Sequence, residues 1–148
     1  MESGAILLWL AKTRGRFLPD GDEYWKTLEW TFWQVGQLGP YLGQAHQVLK
    51  YNRGRTPEAE QKCREQVARV YSTLDARLAG RHYIAGEGKG EYSIADIISW
   101  PWISRFEWHE AALAEYPAVW EWYTRIAERP AVQAGYHQPH YVSDIPLP

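Results

Sequence analysis

The stretch LEWTFWQVGQLGPYLGQAHQVL, residues 28–49, decides the fold. Leu28, Val35, Leu42 and Leu49 recur every seven residues, with Leu38 and Ala45 between them, which is the spacing of one apolar face on a long helix. A helix this apolar must be covered by other helices. Gly36, Gly39, Pro40 and Gly43 interrupt the pattern. In a helix interior Gly costs ~1 kcal/mol and Pro ~3 kcal/mol relative to Ala, so a kink is predicted between Gln34 and Gly43. Trp30, Phe32 and Trp33 cannot all share the inward stripe, and Gln34, Gln44 and His46 accompany them. The helix therefore has two readings, as the organising core element and as one wall of a site.

On either side the chain continues in helical periods. Residues 3–12 place Ile6, Trp9 and Leu10 on one face, with Ser3 suited to cap the start. Residues 13–20 form a connector containing Gly15 and Pro19. The central helix runs over 21–52, with NRGRT (52–56) as a turn. A third helix starts at Pro57. Cys63, Val67, Val70, Leu74 and Leu78 make its inner face, it packs antiparallel to the second, and Gly80 caps its end. Residues 81–92 form a flexible glycine loop. With no preceding strand and no GK[ST], it is not a phosphate-binding turn. Ser93-Ile94-Ala95-Asp96 reads as a capping box opening a fourth helix, with Tyr92 and Ile97 at the staple positions. Position and neighbours thus account for Asp96 as a structural cap rather than a catalytic acid. Pro101 bends or restarts that helix. A fifth helix starts at Pro117 with Val119, Tyr123 and Ile126 inward and Trp120 or Trp122 toward a partner. A short one spans 130–134, and the proline-containing tail from 136 is either disordered or draped on the surface. No strand and no repeat emerges, so the fold class is all-α, a bundle of five to seven helices.

Composition narrows the function classes. At 148 residues the chain is about one domain. Net charge is −2 and no basic stripe stands out, which argues against a nucleic-acid partner. No apolar run approaches the roughly 18–20 residues of a membrane span, and no leader sequence opens the chain. Cys63 is the one cysteine, in keeping with a reducing compartment and a cytoplasmic protein, and its helical phase makes it a buried structural thiol. His137 and His140 lie near no acidic or thiol partner, so no metal site is expected. Nine Trp and ten Tyr are many for this length, and such rings favour clefts and interfaces.

Three stretches together resemble the glutathione S-transferase family. Glu2-Ser3-Gly4-Ala5-Ile6-Leu7 is similar to the start of the last helix of its thioredoxin-like N-terminal domain. Ser93-Ile94-Ala95-Asp96 is similar to the capping box of the core helix in its helical C-terminal domain, and Glu128-Arg129-Pro130-Ala131-Val132 to the end of that domain. Phe32-Trp33-Gln34, Gly39-Pro40 and Gly43-Gln44-Ala45-His46 resemble the nu-class bacterial enzymes and the related yeast prion-forming regulator more specifically.

The resemblance implies a homodimeric enzyme with glutathione as co-substrate, acting on a small electrophile or disulfide by transfer or by thiol–disulfide exchange. It implies that Glu2 and Ser3 hold the γ-glutamyl part of glutathione, at a helix N-terminus suited to a carboxylate. It implies that Trp33, Gln34, Gln44 and His46 face the second-substrate pocket. No catalytic residue is expected within the chain. Residues 1–13 correspond to the last helix of a truncated thioredoxin-like domain, 14–20 to a linker, 21–135 to the helical domain and 136–148 to a tail. The group that would lower the thiol pKa is expected to lie in the part of the family's fold the chain lacks, so the chain alone is expected to be inactive. The alternative is a stand-alone helical module that docks other proteins through exposed Trp residues.

Overall fold

The computed structural model describes residues 2–148, and among them six helices carry the fold. Helix α1 is Ser3–Arg14, ended by Gly15 in the left-handed conformation (φ 60°). Helix α2 is a continuous rod over residues 22–51, built from Asp22–Trp33, Gln34–Leu38, Gly39–Ala45 and His46–Tyr51 end to end. Helix α3 is Pro57–Leu78, α4 is Ile94–Ile103, α5 is Pro117–Ala127 and α6 is Pro130–Tyr136. Short 3-10 turns at Phe106–His109 and Leu113–Glu115 join α4 to α5. One isolated bridge, Ala85 to Glu91, is the only β pairing among the described residues. The architecture is the all-α bundle expected from the sequence.

Where a kink is expected, between Gln34 and Gly43, α2 widens into a π turn, one of the usual causes of a kink. Gln34–Leu38 and His46–Tyr51 are wide π turns, and Pro40 falls in the first turn of the α segment after the first of them. A π turn shifts the hydrogen-bond register by one residue, so the proline's missing N–H sits at a register change rather than mid-ladder. The inward stripe differs from the expectation. Thr27, Thr31, Gln34, Leu38, Leu42, Ala45 and Leu49 are buried, whereas Leu28 and Val35 are only half-buried. The threonines tolerate burial because their hydroxyls donate to carbonyls one turn back, Thr27 to Glu23 and Thr31 to Thr27, both at 2.8 Å. Their methyl groups are then free to pack inward.

Helix α3 packs beside α2 and behaves as read, burying Cys63, Val67, Val70, Leu74 and Leu78, and Tyr71 and Glu60 as well. Gly80 follows its end at φ 72°. Asp75 of α3 caps another helix: its Oδ1 accepts from the N–H groups of Ala118 (2.9 Å) and Val119 (3.0 Å) at the start of α5. The glycine loop is pinned rather than free. Arg81 donates to the carbonyls of Tyr83, Gly86 and Gly88, and the Gly86 N–H donates to Glu23 (2.7 Å).

Helix α4 passes through the core, and the capping box at its start is present. Asp96 is fully buried and its carboxylate accepts from Ser93 N–H (2.9 Å), Ser93 Oγ (3.1 Å), Ile84 N–H (3.0 Å) and Trp122 Nε1 (2.8 Å). Burial raises its pKa, and those four hydrogen bonds offset only part of the rise. Asp96 therefore ties the loop, α4 and α5 together. Trp122, one of the two residues expected to face a partner, is instead buried against it, while Trp120 is 37% exposed. Helix α4 runs unbroken through Pro101 to Ile103. The tail is draped: Ile145 is buried and Tyr123 Oη donates to the Pro146 carbonyl at 2.6 Å.

Candidate functional site

Two places in this frame hold the side chains singled out from the sequence. The first is the start of α1. Glu2, not Ser3, occupies the cap position, in extended conformation (φ −99°, ψ 128°), and no side chain caps the helix. Ser3 is the first helical residue, because the Glu2 carbonyl already takes the N–H of Ile6 at 3.0 Å. Both side chains are exposed. The uncapped N–H groups of the first turn, the Ser3 hydroxyl and the partial positive charge of the helix end form an array that suits a carboxylate. Gly4 lets α1 lie close to the bundle, since a Cβ there would meet Val35 Cγ2 at 3.4 Å and Thr31 and Ile98 at 3.8 Å.

The second is the glycine-interrupted part of α2. Here the four residues expected to share a wall are dispersed. Trp33 is half-buried and packs edge-on against Trp30, with ring centroids 5.0 Å apart. Gln34 is buried at the first π turn, and its Oε1 has no hydrogen-bond partner. Gln44 is exposed on a groove between α2 and α3 that Lys62 and Cys63 also line. His46 lies roughly 20 Å along the rod from Trp33 and turns toward α4. The glycines serve packing. The Trp102 indole crosses α2 where a Cβ on Gly39 or Gly43 would stand 3.6 and 3.7 Å from it, while Gly36 has nothing within 4 Å.

His46 belongs to a cluster that sequence spacing did not reveal. Its Nε2 is 2.9 Å from Nε2 of His109, and His109 Nδ1 is 2.9 Å from the hydroxyl of Tyr71. Trp102 stacks on His46 and Trp108 meets it edge-on. Tyr71 and His109 are buried and His46 is half-buried, so the hydrogen-bonded chain leads from the core toward the surface. Burial lowers the pKa of His109 to about 3, with His46 adding to the effect. Burial, and then Arg105, lowers that of His46. Burial holds the Tyr71 phenol well above its ordinary value. All three groups are neutral near pH 7 and donate or accept hydrogen bonds, but none carries charge. Cys63 is 3% exposed and burial raises its thiol pKa, so it remains a thiol and a poor nucleophile, as the helical phase implied.

The helical bundle with this capping-box core helix defines a glutathione S-transferase-type C-terminal domain. A family model of that description, "Glutathione S-transferase, C-terminal domain", matches residues 38–130. The chain belongs to the glutathione S-transferase family. It is 44% identical over 131 residues to the disulfide-bond oxidoreductase YfcG of Escherichia coli, covering 88% of this chain and 60% of that protein. It is 34% identical over 143 residues to disulfide-bond oxidoreductase YghU of the same organism, covering 90% and 48%. Among solved structures, a glutathione transferase from Burkholderia graminis, described with two glutathione molecules bound per subunit, superimposes with a TM-score of 0.86 at 30% identity, covering 94% of this chain and 60% of that one. The chain thus spans about half to three-fifths of the length of these relatives.

Proposed function

We propose that this chain is the helical part of a glutathione-dependent enzyme, a disulfide oxidoreductase with transferase capacity toward small electrophiles. The likeness to YfcG over 88% of the chain carries the reading. In it, residues 1–13 are the last helix of a thioredoxin-like domain, 14–20 the linker, 21–135 the helical domain and 136–148 the tail. The γ-glutamyl carboxylate of glutathione sits on the free N–H groups and hydroxyl at Ser3, and Glu2 takes its ammonium. The group that lowers the glutathione thiol pKa comes from the thioredoxin-like part of the enzyme, in the two-fifths of YfcG that this chain does not cover. Trp33, Gln34, Gln44 and His46 do not form one pocket within this chain. As second-substrate residues they act only with walls supplied by other parts of the enzyme or by a second subunit.

The working form is a homodimer paired partly through α2 and α3, in the reducing cytoplasm. A single buried cysteine fits that compartment, and no described helix is long and apolar enough to cross a membrane. A fusion carrying the thioredoxin-like domain of YfcG ahead of Glu2 tests the reading. It should reduce a small mixed disulfide in the presence of glutathione. A folded fusion that neither reduces the disulfide nor conjugates an electrophile rejects it.

One observation favours the second reading, a protein-docking module. Trp9, Trp25 and Phe32 are 64%, 68% and 65% exposed, and rings of this kind anchor interfaces. A chain that stays monomeric, with those tryptophans quenched equally with and without cell extract, would remove it.

A further inference from the structure

A hydrogen-bonded chain that the glutathione chemistry leaves unused runs from Tyr71 through His109 to His46. Tyr71 is fully buried, and among the described residues its hydroxyl has a single partner, His109 Nδ1 at 2.9 Å. A buried hydroxyl that donates to nothing is costly, so the phenol O–H donates and His109 Nδ1 accepts. A neutral imidazole then carries its proton on the other nitrogen, and His109 Nε2–H donates to His46 Nε2 at 2.9 Å. By the same rule His46 carries its proton on Nδ1, an atom that neither bonds within the protein nor is buried. Satisfying Tyr71 thus fixes both tautomers, and every hydrogen bond of the chain points outward to solvent.

Aromatic rings surround its outer end. Trp102 stacks on His46 with ring centroids 5.7 Å apart, and Trp108 meets it edge-on at 5.1 Å. Trp108 is half-buried, and Tyr51, 6.0 Å from it, is exposed. Lys50 Nζ and the Arg105 guanidinium lie 5.4 and 5.2 Å from the Trp108 ring, and neither is ion-paired with a carboxylate among the described residues. These cations attract an anion to Trp108 and disfavour a positive charge left on its ring. A phenol escapes that penalty when its proton leaves with its electron, because the radical left behind is neutral. We propose that Tyr71 is a one-electron redox site reached through Trp108. A diffusible anionic oxidant of the carbonate-radical class takes an electron from Trp108 and becomes carbonate. Tyr71 then returns an electron to Trp108. Its proton moves to His109 Nδ1 as the His109 Nε2 proton moves to His46 Nε2 and the His46 Nδ1 proton moves to water. The products are carbonate, restored Trp108, a neutral Tyr71 radical and one proton in solvent. Both imidazoles end neutral with their tautomers exchanged, which suits a His109 ring whose burial disfavours the imidazolium. The site is independent of the glutathione chemistry proposed above.

Carbonate radicals generated by pulse radiolysis of the full chain in hydrogencarbonate buffer, followed by time-resolved absorption, test this. In the natural protein the broad visible band of a tryptophan radical should give way to the narrow band of a tyrosyl radical, more slowly in heavy water than in ordinary water. Tyr71→Phe, which deletes one oxygen, should remove that conversion and prolong the tryptophan radical about ten-fold or more. Tyr51→Phe, which alters the exposed neighbour of Trp108, should keep it. His46→Phe, with an unchanged circular dichroism spectrum, should slow it about ten-fold by closing the proton exit. A tyrosyl yield undiminished in Tyr71→Phe overturns the proposal, as does a conversion abolished by Tyr51→Phe, or no conversion in the natural protein. A rate unchanged both in heavy water and in His46→Phe overturns it as well, since the electron would then move without the proton chain.

Discussion

His46 and His109, 63 positions apart in sequence, meet Nε2 to Nε2 at 2.9 Å, one nitrogen donating and the other accepting, with ring planes within 3° of parallel. Tyr71 holds the far nitrogen of His109 at 2.9 Å. The contact joins the second π turn of α2, the 3-10 turn after α4, and α3.

This chain sets a pH dependence. Both histidines titrate below 6.5 in the folded protein, His109 at about 3, because burial disfavours the imidazolium. In the unfolded chain they protonate near the ordinary value of about 6.5. Between about pH 6.5 and about 3 the unfolded state therefore binds more protons. Stability is fully present above that window and is lost as pH falls through it. For buried His109 the slope is about 1.4 kcal/mol per pH unit. Tm measured from about pH 7 to about pH 5 should fall more steeply for the natural protein than for His109→Gln, which puts a polar amide near His46 without the titration. Parallel Tm curves would refute this.

Asp96→Asn probes the core junction. Asn offers one acceptor oxygen and one donor nitrogen. Whichever way it turns, donors face donors: Ser93 N–H and Oγ on one side, or Ile84 N–H and Trp122 Nε1 on the other. Urea unfolding should show a loss of about 3 kcal/mol or more. A loss under about 1 kcal/mol would mean the junction contributes far less than its geometry implies.

The glycines of α2 should separate by position. Gly36→Ala meets nothing within 4 Å and should gain up to about 1 kcal/mol from helix propensity. Gly39→Ala would place its Cβ 3.0 Å from Gln34 Nε2 and 3.3 Å from the Gln34 carbonyl oxygen, beside Trp102. It should lose about 1 kcal/mol or more by crowding. Thermal melts of the two variants in parallel decide this, and the same sign of shift for both would contradict the packing role assigned to Gly39.

Much of this fold was legible because it is local. The capping box Ser93–Asp96, the Pro57 and Pro117 starts, Gly80 after α3 and the Cys63–Leu78 stripe all follow from spacing within one helix. What failed was long-range or register-dependent. The stripe Leu28–Val35 predicts burial at a regular 3.6-residue period. The π turns shift that phase, and the back-bonded Thr27 and Thr31 take the inner face instead. Trp122 reads as a contact residue until Asp96, 26 positions away, is found bonded to its indole. Likewise no helical offset pairs His46 with His109, since their partnership depends on how the 3-10 turn folds back. For the proposed glutathione site, the Glu2-Ser3 pair is visible in sequence, but only the structure shows that Glu2 takes the cap position and leaves the α1 N–H groups free.

Glutathione affinity, measured by calorimetry on the bare 148-residue chain and on its fusion to a thioredoxin-like domain, tests the central claim most directly. The expected result is no saturable binding by the chain alone and submillimolar binding by the fusion, weakened about ten-fold by Ser3→Ala through loss of a charge-assisted hydrogen bond. Submillimolar binding by the bare chain, or a folded fusion that binds no glutathione, would contradict it.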